Sequence, residues 1–236
     1  MKPKRNEEHR EEAELRNTTR RILVLTALIS TVFGVLYFVG LMGKLIVNGS
    51  IHATSSQGIS TVSAAVGLLW DITLLILFVA LRYQIPRSKA VLADLGLLFM
   101  TLLTAVSSIN WYVQLTLVPK LAQSGDTVLL ALLDVHNVDS LMYAMEHLAW
   151  GLFYGLAVLF MALAIQGGKL ETWIRGLLIA GGVMSILYVP GILIANAVLI
   201  DLGYYAAGVL LPATTVLLMI RYRVNTARET MAPAHV

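Results

Sequence analysis

Residues 58–89 read GISTVSAAVGLLWDITLLILFVAL followed by RYQIPRSK. The first part, Gly58–Leu81, exceeds the roughly 20 residues that a helix needs to cross a bilayer core. It carries one ionisable group, Asp71, near its centre; the second part carries Arg82, Arg87 and Lys89. An apolar run of spanning length that stops at a cationic cluster reads as a transmembrane helix whose C-terminal end faces the cytoplasm. Backbone polar groups in hydrocarbon must be paired within the segment, and no alternating barrel pattern is present, so helices follow.

Five further runs have the same character: Ile22–Gly43, Val91–Val118, Val138–Ile165, Trp173–Leu199 and Leu202–Ile220. The expected fold is therefore an all-α membrane protein, a bundle of about six transmembrane helices occupying residues 22–220. A charged tail, residues 1–21, precedes it, with Glu12 and Arg16 at helix-supporting spacing. A second tail, residues 221–236, follows. The first run is longer than a signal h-region and has no convincing small-residue cleavage site, so it reads as an uncleaved first helix. A turn is expected at Ile200 and Asp201 between the last two spans, with a re-entrant pair as the alternative.

The basic residues set the orientation. Fifteen of the 17 lysines and arginines fall in the first tail, residues 82–89, residues 169–175 and the last tail; only Lys44 and Lys120 fall in the other connections. Both termini are thus expected in the cytoplasm. Tyr37, Trp111, Tyr112, Tyr204 and Tyr205 near the outer ends, and Trp173 near an inner end, have the placement of interfacial anchors. The external connection Pro119–Asn137 contains an apolar stretch, Thr127–Val135, that suits a short interfacial helix.

Composition agrees. The chain is 236 residues, 58% hydrophobic and 13% charged, with a mean hydropathy of +0.77; soluble domains carry about 25% charged residues. No basic run interleaved with aromatics lies outside the apolar segments, which argues against nucleic acid as a partner. Cysteine is absent, which removes disulfides, thiolate metal sites, iron–sulfur clusters and cysteine nucleophiles. Asn48-Gly49-Ser50 matches a glycosylation sequon, a short and common pattern.

No lysine or arginine lies deep in a span, but Asp71, Glu146 and His147 do, with Asp94 and Asp201 nearer the interfaces. Ionisable groups at membrane depth are costly and are candidate functional residues. Ser60, Ser63, Gly67 and Asp71 share one face of span two; Ser107, Asn110 and Gln114 form a stripe on span three. On span four, Ser140, Ala144, His147, Gly151 and Gly155 make a small-residue face suited to close helix approach. Glu146, turned about 100° from His147, shares its side with Asp139, Tyr143 and Trp150.

Asp71, Glu146, His147, Asn110 and Gln114 are therefore the candidate ligand- or ion-binding residues, and Gly151 and Gly155 the candidate packing residues. For His147 and Asn110 taken singly, interhelical hydrogen bonding is the commoner use. For Asp71 and Glu146 a functional use is favoured, because no basic residue is available at their depth. Asp94, near Arg87 and Lys89, reads as a solvated interfacial charge. Pro190 and Pro212 lie within spans five and six, where they kink the helix or are simply tolerated.

No catalytic residue, resident metal or cofactor is expected. His147 is the only deep histidine, and neither a His-Glu-x-x-His nor a Gly-x-Ser-x-Gly pattern occurs. A haem would lack a second axial ligand, and a retinal Schiff base would lack its lysine. Asp134, His136, Asp139 and His52 could assemble an outer metal site, although loop acids are more often solvated.

The stretch Gly167-Gly168-Lys169-Leu170-Glu171-Thr172-Trp173-Ile174-Arg175, the final Arg221-Tyr222-Arg223 and the segment from Met142 to Ile165 with Glu146 and Gly155 carry a resemblance. They look like a broad group of uncharacterised prokaryotic six-helix integral membrane proteins. That resemblance implies a prokaryotic plasma-membrane location and brings no activity or functional residues. The expected function is binding or transport of a small solute, cation or proton through a polar pocket in the outer half of the bundle. The alternatives are a non-enzymatic sensor or membrane assembly protein and, behind it, a lipid-modifying membrane enzyme. The bilayer and a small solute or cation are the expected partners, and a homo-oligomer is left open.

Overall fold

A computed structural model describes the backbone of residues 3–48 and 57–231, and side chains within residues 14–223 except 41, 44, 45 and 47–60. The sequon, His52 and the side chains of Lys44 and Ser60 lie outside the described residues. Among the described residues the secondary structure is helical, with no strand. Six helices are long and apolar enough to cross a membrane: Glu14–Gly40, Thr61–Arg82, Arg87–Ser124, Leu141–Ala164, Lys169–Leu193 and Ala197–Arg223.

The first span belongs to one continuous helix, α1 (Pro3–Asn48). Its threonines are satisfied locally: Thr26 Oγ1 donates to the Ile22 carbonyl and Thr31 Oγ1 to that of Ala27, each at 2.8 Å. That keeps hydroxyls in an apolar helix without orphaned donors. Helix α2 (Gln57–Arg82) ends in a turn before Pro86, whose ring disfavours helical geometry at the preceding residue. A turn of 3₁₀ helix, Arg87–Lys89, leads into α3 (Ala90–Thr116). There Arg82, rather than Arg87 or Lys89, pairs with Asp94, through Nε and through Nη2 at 3.2 Å. Asp94 is exposed, at the edge of its span.

The connection between spans three and four holds two short helices where the sequence suggested one: α4 (Val118–Ser124) and α5 (Thr127–Leu133). Gly125, at φ 74°, ends the first, and Asp126 Oδ1 caps the second by accepting from Leu129 N. Span four runs through α6 (Leu141–His147), a π-helical turn (Leu148–Phe153) and α7 (Tyr154–Ala164). Ser140 starts it, accepting from Tyr143 N at 2.9 Å.

The turn between spans five and six is not at Ile200 and Asp201. Helix α8 (Lys169–Leu193) stops earlier, and α9 (Ala197–Tyr205) already contains both residues. The stop is a Schellman motif: Asn196 N donates to the Gly191 carbonyl at 2.8 Å, and Ala195 N to that of Ile192 at 3.1 Å. Ala195 takes the left-handed position, φ 51°, that glycine usually fills. Asn196 then caps α9 by accepting from Leu199 N. After a π-helical turn (Ala206–Leu210) the span continues as α10 (Leu211–Met231). Pro212 sits directly after that turn, where the irregular pairing accommodates its missing N–H.

The spans pack in chain order around a ring that closes where α10 meets α1. Thr31 Oγ1 and Thr215 Oγ1, 2.8 Å apart, tie this seam. One end of the ring gathers basic residues: Arg20 Nε donates to the Tyr222 carbonyl, Gln84 Nε2 to Thr19 Oγ1, and Arg221 pairs with Glu171, each at 3.0 Å. The start of spans one and five therefore lies beside the end of spans two and six, as six antiparallel crossings require. The half of the bundle nearest this basic end is filled by aliphatic side chains, among them Leu23, Leu77, Leu81, Met100, Met161 and Ile174. Spans four and five approach closely: a Cβ on Gly151 would lie 2.5 Å from Val189 Cγ2, and one on Gly155 2.6 Å from Ile186 Cγ1. No bulkier side chain fits there without separating the helices.

Candidate functional site

In the half of the bundle away from the basic end, spans two, three and four converge on one hydroxyl. Ser107 Oγ, on α3, lies 3.2 Å from Glu146 Oε2 and 3.3 Å from Oε1, and accepts from Trp150 Nε1 at 3.3 Å. Glu146 and Trp150 are one turn apart on span four, so they reach the same point on α3. Asn110, one turn beyond Ser107, donates from Nδ2 to Glu146 Oε2 at 2.7 Å and to the Met142 carbonyl at 3.3 Å. Its Oδ1 accepts from Gln114 Nε2 at 3.4 Å. Gln114 also donates to the Leu133 carbonyl and accepts from Val135 N. The stripe on α3 is thus a polar ladder whose last rung, Gln114, fastens the connection between spans three and four to the bundle.

Asp71 stands on the other side of Ser107. It is fully buried, and neither carboxylate oxygen has a hydrogen-bond partner. Ser107, Trp111 and the charge of Glu146 are its polar neighbours. The single Ser107 proton is directed to Glu146, which leaves the Trp111 indole N–H as the donor nearest to hand. Trp111 Nε1 is itself buried without an acceptor. Its ring is held over Gly67, where a Cβ would stand 2.6 Å from Cε2 and 2.8 Å from Nε1. Gly67 lies one turn before Asp71, so the small residue on span two makes room for the indole beside the acid. Thr104 Oγ1 donates to the Asp71 backbone carbonyl at 3.3 Å, locking α2 to α3 at this level.

Aromatic rings surround the two acids. Tyr37, Trp70, Trp150 and Tyr154 form a chain of tilted contacts from α1 across α2 to span four, with centroids 5.4–5.7 Å apart. Trp70 Nε1 donates to Ser30 Oγ at 3.0 Å. A second chain joins Tyr143, His147, Tyr188 and Tyr204. His147 is buried and stacks on Tyr188 with centroids 4.7 Å apart, while its Nδ1 faces the Tyr143 carbonyl. It therefore occupies the interface between spans four and five.

Of the sequence candidates, Asp71, Asn110, Gln114 and Glu146 are brought together, and His147 is turned to a neighbouring interface. Glu146 keeps partial exposure, whereas Asp71 and Asn110 have none. Ser107 and Trp150 join the site through contacts that helical spacing only partly signals. Trp111 and Tyr37, expected at the water interface, are half-buried against neighbouring spans, whereas Tyr112, the neighbour of Trp111, is exposed. On the connection between spans three and four Asp134 Oδ1 meets His136 Nδ1 at 3.0 Å, which holds the Asp134 carboxyl below its usual range. No group of three His, Asp or Glu suited to a metal is present among the described residues.

These features define a multi-pass, helical integral membrane protein in which a fully buried aspartate stands beside a partly exposed glutamate. No protein-family profile, curated protein or solved structure matches the chain.

Proposed function

We propose that this protein sits in the plasma membrane of a prokaryotic cell with both termini in the cytoplasm, and binds a proton or small cation at Asp71 and Glu146. The observation that supports this reading is the pair itself. Asp71 is fully buried with two unpartnered carboxylate oxygens, Glu146 is its acidic neighbour across Ser107, and no lysine or arginine shares their depth. Two such carboxyls are stabilised by a shared proton or by a cation between them. The titratable groups within electrostatic reach of Glu146, besides Asp71, are Tyr37 of α1 and Tyr204 of α9, with Tyr143, Tyr188 and Asp201 around those tyrosines. None of them is a fixed cation.

This reading requires access from the end away from the basic residues, since aliphatic packing fills the half of the bundle nearest them. Transport requires that half to open. A sensor that binds and changes shape without turnover is the second reading, and the closed inner half favours it over an open channel. The test is melting temperature against pH and against Na⁺ or K⁺ for wild type, Asp71→Asn and Glu146→Gln in neutral detergent. Wild type is expected to shift with pH or cation, and Asp71→Asn to flatten that dependence while remaining folded. Parallel curves for all three proteins would reduce Asp71 to a structural residue.

A further inference from the structure

At the basic end of the bundle a cavity of about 320 Å³ opens beside the seam between the first and last spans. Its lining is Arg20, Arg21, Val24, Leu25 and Leu28 of α1 with Arg223 of α10. Three guanidinium groups at a membrane–water boundary stand over an apolar wall. Arg20 is buried and oriented by its Nε bond to the Tyr222 carbonyl, while Arg21 and Arg223 are exposed. Glu171 is taken up by Arg221. Below the arginines Leu25 is 57% exposed and Leu28 39% exposed, on the face turned away from the ring.

We propose that this cavity is a binding site for an anionic phospholipid. The arginines recognise the headgroup phosphate, since a guanidinium offers forked donors matched to phosphate oxygens. Val24, Leu25 and Leu28 receive the upper part of an acyl chain. A free phosphate would leave that apolar wall uncovered, and a zwitterionic lipid would bring its own cation to the arginines. Basic pockets between spans on the cytoplasmic side are suited to acidic headgroups. The lipid would bridge α1 and α10 where the ring closes, and would stabilise the folded bundle by mass action. This site is independent of the Asp71–Glu146 pair.

The test titrates the delipidated, full-length protein in neutral detergent with phosphatidylglycerol, phosphatidylcholine or inorganic phosphate, and reads melting temperature. Phosphatidylglycerol is expected to raise it by several degrees, and the other two to leave it near baseline. Arg21→Gln with Arg223→Gln is expected to lose most of that rise, because both residues are exposed and neither holds the Tyr222 carbonyl. Arg87→Gln, at the same end but outside the cavity, is expected to keep it. An equal rise with phosphatidylcholine or inorganic phosphate would overturn the anionic-lipid assignment. An undiminished rise in the double variant would overturn the site.

Discussion

Gly155 and Gly182 face each other reciprocally across spans four and five. A Cβ on Gly155 would stand 3.0 Å from the Gly182 carbonyl oxygen, and one on Gly182 would stand 2.9 Å from that of Gly155. Both obstacles are backbone, which cannot rotate away as a side chain does. Packing of this kind holds membrane helices together where lipid removes the hydrophobic drive for association.

Gly155→Leu is therefore expected to destabilise the bundle by about 3 kcal/mol or more, at or above the usual range for overpacking. Leu152→Ala should cost far less, because Leu152 is half-buried and its open side faces a solvent as apolar as itself. Thermal unfolding in detergent compares the two. Similar melting temperatures would mean that spans four and five do not meet on this face.

Adjacent serines on α3 give a second prediction. Ser107→Ala removes the donor to Glu146 and strands the Trp150 N–H, so a loss of about 1–3 kcal/mol is expected. Ser108 Oγ makes no hydrogen bond among the described residues, so Ser108→Ala should stay within about 0.5 kcal/mol of wild type. The contrast is internal to one helix turn. A larger loss at Ser108 than at Ser107 would contradict the network.

The orientation is accessible to chemical labelling, since the native chain has no cysteine. Ser124→Cys, on the exposed connection between spans three and four, is expected to react with a membrane-impermeant thiol reagent in intact cells. Gly168→Cys, at the exposed start of span five, is expected to react only after lysis. Labelling of Gly168→Cys in unbroken cells would invert the topology.

The six spans were legible because each is an unbroken apolar run and because lysine and arginine gather at alternate connections. The break between spans five and six was not, because its left-handed residue is Ala195 where a glycine would have marked the turn. Ile194 and Ala195 look like more of the same apolar run, and Asn196 alone hinted at a cap. The ladder of Ser107, Asn110 and Gln114 followed from helical periodicity, but its partners did not. Periodicity assigns residues to a face and leaves open which span that face meets. Trp111 shows the same limit: near a span end an indole suits the water interface, and only the gap left by Gly67 on another helix turns it inward. The π-helical turn after His147 had no sequence signal at all, although it sets the direction of every residue from Leu148 to Phe153.

The seam between α1 and α10 joins span one to span six, the earliest and latest made of the six. Until Leu211–Arg223 is inserted, the inward face of α1 around Thr31 has neither Thr215 nor Pro212 against it, and Arg20 lacks the Tyr222 carbonyl. The ring thus completes only once span six has been inserted, and a chain cut short before it displays an open polar edge to the bilayer. Such an edge is a chemical mark by which incomplete copies differ from complete ones, available to whatever degrades unfinished membrane proteins.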